Sequence, residues 1–211
     1  MEKFFDRHAA GMVLAEQLKS YSKNPNAIVL ALPRGGVPVA YEIAKALSVP
    51  LDVFVVRKLG VPEHEELAMG AIATGGTVVF NDEIVRELHI SKFAIDQVIQ
   101  SEQEELKRRE SAYRGNRPFP VLKDKTIILV DDGIATGATM RAAIMALRKQ
   151  NPANIVMAVP VAPFSTCVEM EGWVDKIICP LKPYQFYAVG AFYENFSQTS
   201  DEEVFELLNM G

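Results

Sequence analysis

Two adjacent carboxylates followed closely by a threonine-glycine turn are the residues here best suited to chemistry. The segment TIILVDDGIATGATM, residues 126–140, runs from an apolar strand through Asp131, Asp132 and Gly133 into Ala135, Thr136, Gly137, Ala138 and Thr139. The β-branched and leucine run before the acids reads as a strand buried on both faces, which puts the carboxylates at its carboxyl edge, where open α/β sheets bind ligands. A helix beginning near Ala138 would turn free N–H groups and its positive dipole end toward the same place. Gly137 lets an anion approach the backbone, and the hydroxyls of Thr136 and Thr139 add donors. The chemistry this predicts is the holding of a sugar phosphate.

A second candidate lies at Leu32-Pro33-Arg34-Gly35-Gly36, where a cation and two glycines follow another buried strand. Arg34 and the glycine amides are placed to converge on an anion at the same sheet edge. A third is the pair Arg57 and Lys58, two adjacent cations at the end of an apolar run, for which neutralisation of a diphosphate is one reason. The aromatic concentration KPYQFYAVGAFYENF, residues 182–196, could stack a planar base or simply pack the core.

The elements that must carry these groups alternate. Residues 6–20 read as a helix, 27–32 as a strand, 36–47 as a helix and 51–56 as a second strand, a βαβ opening. Short strands are expected at 70–73 and 77–80 around the Gly75-Gly76 turn. From 81 to 113 the chain turns helical, with Ile95, Val98, Ile99 and Leu106 forming one apolar stripe opposite a charged face. After the signature strand come a helix near 138–150, a strand at 154–159, a helix near 164–171 and a strand at 174–179. This is an α/β chain with a mainly parallel sheet flanked by helices.

With 211 residues, 49% of them hydrophobic, the chain is long enough for one domain with a substantial core. We expect 1–211 to be a single domain, with 81–113 a helical insertion and 180–211 joining the N-terminus as a small hood. A formal charge of −5 argues against a nucleic-acid or anionic-membrane surface. No segment reaches the roughly 18 apolar residues of a membrane span, and the charged start MEKFFDRHAA lacks a signal-peptide core, so a cytoplasmic location is expected. Cys167 and Cys179 lack metal-type spacing and read as reduced core thiols.

The run 126–140 resembles the phosphoribosyl pyrophosphate (PRPP) signature of the type I phosphoribosyltransferases, in which hydrophobics, two acids and two variable residues lead into a TGxT turn. The whole chain, including YRG.RP before the signature and QTSDEEV near the end, looks most like a bacterial group known as predicted phosphoribosyltransferases of undefined substrate. That resemblance implies the type I fold, which is Rossmann-like, and transfer of 5-phosphoribosyl from PRPP to a nitrogenous acceptor, a nucleobase first among them, with release of pyrophosphate. It implies that Asp131 and Asp132 hold the ribose hydroxyls and a Mg²⁺ ion, that residues 135–139 hold the 5′-phosphate, and that Arg34, Gly35 and Gly36 hold pyrophosphate across a cis Pro33–Arg34 peptide. Arg57 and Lys58 would contact phosphates ahead of a mobile lid at about 59–67.

The match thins after Lys58, where related enzymes carry a further lysine and this chain has Pro62, Glu63, His64, Glu65 and Glu66. His64 is a candidate donor to the departing pyrophosphate, although the carboxylates beside it would repel that anion. On the acceptor side Tyr187, or Phe186 in a register one residue away, resembles the base-stacking aromatic of the purine salvage enzymes, with Glu194 at the position of their acid. The lysine that reads a 6-oxopurine is missing, since the chain has VPVAPFST there, and Ala135 stands where the hypoxanthine-guanine enzymes have aspartate. Relatives often form dimers. Two other readings remain on the same fold: a non-catalytic PRPP- or nucleotide-sensing regulator, and an enzyme that transfers to another acceptor or hydrolyses a phosphorylated sugar donor.

Overall fold

The computed structural model describes residues 2–210. Its main sheet contains five parallel strands in the order β2-β1-β6-β7-β8, formed by Ala27–Ala31 (β1), Leu51–Val53 (β2), Thr126–Val130 (β6), Asn154–Ala158 (β7) and Lys176–Ile178 (β8). Three antiparallel strands form a second sheet in sequence order: Val56–Val61 (β3), His64–Ala73 (β4) and Thr77–Phe80 (β5). The helices are Arg7–Gln17 (α1), Gly36–Leu47 (α2), Asp82–Glu87 (α3), Lys92–Arg114 (α4), Ala138–Arg148 (α5), Phe164–Met170 (α6) and Asp201–Asn209 (α7).

Alternation along the central strands explains why the main sheet is covered on both sides. Val29 and Ala31 of β1, Ile128 and Val130 of β6, and Val156 and Ala158 of β7 face one apolar layer, shared with α1, α2, α4 and α7. The intervening Ile28, Leu30, Ile127, Leu129, Ile155 and Met157 face the other, shared with α5 and α6. Each fully buried side chain of this kind stabilises the fold by about 1.5–3 kcal/mol. This two-sided burial is the physical reason that the strands read as continuous apolar runs.

Register fixes where the chain leaves the sheet. Ala27 pairs with Thr126 and Ala31 with Val130, and the Leu32 amide continues the ladder to the Val130 carbonyl at 2.9 Å. The turns after β1 and β6 therefore emerge side by side. The chain runs outward from β1 to β2 on one flank and from β6 through β7 to β8 on the other, so those turns stand at the topological switch point of the sheet.

Two expectations are corrected here. The run 51–56 is not one strand: Phe54 still donates to Ala31, but Val55 turns to Thr74, its amide bonding Thr74 Oγ1 at 2.8 Å and its carbonyl accepting from the Thr74 amide at 2.9 Å. The chain changes partner there and enters the second sheet. The stretch 59–67 is not an open loop either, because Leu59 pairs with Gly70, Gly60 with Ala68 and Val61 with His64 in a bulged hairpin. Its turn is tight, at Pro62-Glu63, with Glu63 at a positive φ of 68°.

The segment 81–114 forms two helices rather than one. Asn81 caps α3 by accepting from Ile84, and Ser91 caps α4 by accepting from Ala94. Leu106 is buried, with Ile95, Val98 and Ile99 packed beside it against the core. The far end of α4 is pinned by a buried ion pair in which Arg114 Nε meets Asp52 Oδ1 at 2.9 Å and Arg114 Nη2 donates to the Val53 carbonyl.

Candidate functional site

At the switch point the two turns touch. A β-carbon built on Gly35 would lie 2.1 Å from Asp132 Oδ2, and one on Gly36 would lie 2.8 Å from the Val130 carbonyl oxygen. Both glycines are thus required by the close approach of the turns. The Pro33–Arg34 peptide is cis, as expected. The structure brings Gly35 and Gly36 together with Asp131 and Asp132 across almost a hundred residues of chain.

The acid pair is held from three sides. The Asp132 amide donates to Asp131 Oδ1 at 2.8 Å. Arg7 of α1 reaches Asp132 Oδ2 through Nε at 2.9 Å, with the two side chains only 11% and 14% exposed. The same guanidinium donates to the Ser197 carbonyl and stacks 4.0 Å above the centroid of Phe196. Tyr193 donates its hydroxyl to the Asp132 carbonyl at 2.6 Å. Burial lifts the Asp131 carboxyl well above its ordinary value, and the neighbouring Asp132 charge adds to that rise. Burial raises Asp132 as well, while Arg7 pulls it back. Burial also pushes the Tyr193 hydroxyl up, which keeps it a donor.

Beyond the acids the loop shapes a cavity of about 210 Å³ lined by Asp131 and residues 133–140. Gly137 has φ +76° and supplies the left-handed turn that starts α5. Thr136 Oγ1 accepts from the Ala138 amide at 3.4 Å, and Thr166 donates its hydroxyl to the Ala135 carbonyl at 2.8 Å. Thr136 and Thr139 are exposed, and the first-turn amides of α5 have no intrahelical partners. This is a concave surface of donors at the positive end of a helix, suited to a phosphate.

The remaining candidates are dispersed. Arg34 extends toward α7, with Nη1 3.6 Å from Asp201 Oδ1. Arg57 and Lys58 both line a cavity of about 340 Å³ beside Glu65 and Glu102, although strand alternation turns their side chains to opposite faces. Arg57 Nε is tied to Glu102 of α4 at 2.7 Å, whereas Lys58 is exposed on the wall of a cavity of about 450 Å³ shared with Thr139 and Arg141. His64 sits exposed near the hairpin tip, 3.8 Å from Glu66. On the acceptor side Phe186 stacks on Phe192 at 5.5 Å and 16°. Tyr187 is 92% exposed. Glu194 is exposed, and its amide donates to the Phe4 carbonyl.

Val189 covers Gly133 closely enough that a β-carbon there would meet it at 2.6 Å, so the 186–196 segment overlies the signature turn. Arg7 and Tyr193 are the site neighbours that sequence reasoning missed. Tyr193 lay inside the aromatic run without a mark of its own, and Arg7 carries no spacing signal, since its partner is 125 positions away.

Two carboxylates at a half-buried edge, both raised by burial, form a site short of positive charge. Asp131 has no cationic partner among the described residues, and no cluster of three or more metal-type side chains occurs among them. That donor set fits Mg²⁺, which keeps several waters and binds through one or two carboxylates plus substrate oxygens.

Comparison with known proteins agrees with this geometry. Residues 63–191 match the model of the phosphoribosyl transferase domain. Two Mycobacterium tuberculosis proteins, each named "Putative phosphoribosyl transferase", are 46% identical over 209 residues, covering 99% of this chain and 47% of their own. The chain thus spans about half the length of these relatives. The crystal structure of TT1426 from Thermus thermophilus is 37% identical and superposes with a TM-score of 0.86, covering 98% of this chain and 97% of that one.

Proposed function

The chain belongs to the phosphoribosyl transferase family, and from that premise we propose that it transfers the 5-phosphoribosyl group of PRPP to a nitrogenous acceptor, with a nucleobase as first candidate, and releases pyrophosphate. The observation that carries this reading is the contact of two anion-binding turns at one switch point, Gly35 against Asp132 and Gly36 against Val130. One turn would seat the 5′-phosphate at residues 135–139, and the other would seat the leaving group at Arg34, Gly35 and Gly36.

In the reaction the C1–O bond to pyrophosphate breaks, the leaving group takes the electron pair, a C1–N bond forms and the acceptor nitrogen loses its proton. The centre passes through an oxocarbenium-like state, so the protein needs no covalent nucleophile and acts mainly by placing charge. Asp131 and Asp132 would hold the ribose hydroxyls, and they are the residues that would hold Mg²⁺, whose charge offsets that of the diphosphate. Lys58 adds a cation near the α5 turn, and Arg57 can contribute only by leaving Glu102. Phe186, Tyr187 and Glu194 belong to the segment overlying the turn and form the acceptor side. The bulged hairpin at 59–67 would exclude water by bending rather than by ordering a loop.

A regulatory, PRPP-sensing role is the second reading, and one observation favours it. The cation expected to drive leaving-group departure, Arg57, is engaged with Glu102, as Asp132 is with Arg7. Pyrophosphate release measured with PRPP, Mg²⁺ and a panel of bases separates the two. Base-dependent release establishes the transferase; PRPP binding by calorimetry without pyrophosphate release in the presence of any acceptor supports the sensor, and no binding of PRPP refutes both.

A further inference from the structure

Arg34 turns away from the acid pair into a small basic cavity that the reading above does not use. The cavity holds about 190 Å³ and is lined by Arg34, Arg108, Arg109, Ala112, Tyr113 and Asp201. Arg108 and Arg109 are successive residues of α4, and both are gripped by one carboxylate: Glu105 receives Arg108 in a two-pronged pair at 2.8 and 2.7 Å and Arg109 Nε at 2.9 Å. Those guanidiniums hold Glu105 down to about 2, so the clamp stays ionised throughout the working pH range. Across the cavity Asp201 sits 3.6 Å from Arg34, and it also raises Tyr113, after burial.

Three arginines and one carboxylate, Asp201, therefore line a space below the 300–1,000 Å³ of pockets for drug-sized ligands, with Glu105 holding two of the guanidiniums. Planar guanidinium forks in convergent array suit the oxygens of phosphate as they do those of carboxylate. The cavity shares the turn after β1 with the acid pair: Arg34 lines it, and the next residue, Gly35, abuts Asp132.

We infer that Arg108 and Arg109 join Arg34 in an anion seat for the diphosphate end of the donor and for released pyrophosphate, and that the Asp201 carboxylate occupies this seat until a phosphate displaces it. The inference rests on the proposed function and adds to it two cations from a helix outside the signature, together with an internal competitor. Because Asp201 opens α7, its displacement would link occupancy of the seat to the position of the C-terminal helix.

The test is calorimetry with inorganic pyrophosphate alone, then with ribose 5-phosphate, which lacks the diphosphate. For the paired substitutions Arg108→Gln and Arg109→Gln the expected result is a loss of pyrophosphate affinity of tenfold or more, with ribose 5-phosphate binding unchanged. Asp201→Asn should tighten pyrophosphate binding severalfold. Arg108 is exposed and Arg109 half-buried, so circular dichroism and melting curves should match the parent; Arg108→Gln alone serves if the pair does not fold. Pyrophosphate binding that is absent in the parent, or unchanged in the arginine variants, overturns the seat. Unchanged affinity in Asp201→Asn overturns the role given to that carboxylate. Failure of ribose 5-phosphate to bind the parent counts against the transferase reading instead, whatever pyrophosphate does.

Discussion

Replacing Arg7 by methionine keeps its apolar stem over Phe196 and removes only the charge that meets Asp132. Both side chains are nearly buried, at 11% and 14% exposure, so this is not a surface pair whose loss goes unnoticed. Breaking a buried pair from one side costs about 3–5 kcal/mol, because the other charge is stranded. The lower figure applies, since Asp132, already raised by burial, can escape by taking a proton. With an unfolding entropy of about 2.1 cal/mol/K per residue, the 211 residues give about 0.44 kcal/mol/K, so a loss of about 3 kcal/mol lowers Tm by about 7 °C. The sign with pH follows from Asp132. At pH 8 its carboxylate is ionised and unpaired in the variant, so the penalty is greatest; as pH falls through its raised folded pKa it protonates and the penalty shrinks. Thermal melts of parent and variant at pH 8, 6.5 and 5 measure this, with Asp132→Asn completing a double-mutant cycle whose coupling should exceed about 1 kcal/mol. A penalty constant across that pH range, or one fully additive with Asp132→Asn, would refute the electrostatic account and leave only packing on Phe196.

Three further outcomes are expected. Asp131→Asn should be more stable than the parent at pH 8: burial holds the Asp131 folded pKa above its ordinary 3.8, so the parent loses stability as pH rises from there through the folded pKa, and the variant does not; melts at pH 4.5 and 8 read the difference, while Mg²⁺-dependent PRPP binding should be lost. Gly35→Ala should retain the fold yet weaken PRPP binding at least tenfold by calorimetry, because its β-carbon would meet Asp132 Oδ2 at 2.1 Å and push the acid from its place. Asp52→Ala, which strands Arg114 at the end of α4, should cost about 3–5 kcal/mol in urea unfolding without changing which ligands bind.

What was legible in the sequence is what depends on neighbours along the chain. AIVLA and TIILV announce central strands because all but Thr126 are apolar and Thr126 is β-branched, and the acids and glycines that follow must lie at their carboxyl ends. The helix stripe of Ile95, Val98, Ile99 and Leu106 is likewise local and stands as read. The partner switch at Val55 was not legible, since it depends on Thr74 offering a hydroxyl and a backbone amide to one residue. Nor was the tie of Arg57 to Glu102, because composition marks two cations but the partner of one lies 45 positions away on α4. The hairpin at 59–67 was hidden by its polar residues, which suit an exposed β-ribbon as well as a loop. Arg7 lay beyond any spacing rule.

The bridging of residues 4–7 and 193–197 onto the acid pair sets the order in which the site can become competent. Arg7 bonds Ser197 across 190 positions, and Phe4 pairs with Tyr193, whereas β1 and β6 meet over about half that separation. Equilibrium barely registers the difference, as each doubling of a loop costs only about 0.6 kcal/mol. Time does register it: α1 can pack on α2 once both are made, but Ser197 and Tyr193, the partners of Arg7 and Phe4, follow much later in the chain. A nascent chain can complete its sheet and phosphate turn, with Arg7 in reach of Asp132, while the Asp132 carbonyl still lacks the Tyr193 hydroxyl. The two halves of the site thus mature in sequence, with the donor side formed before the acceptor side is enclosed.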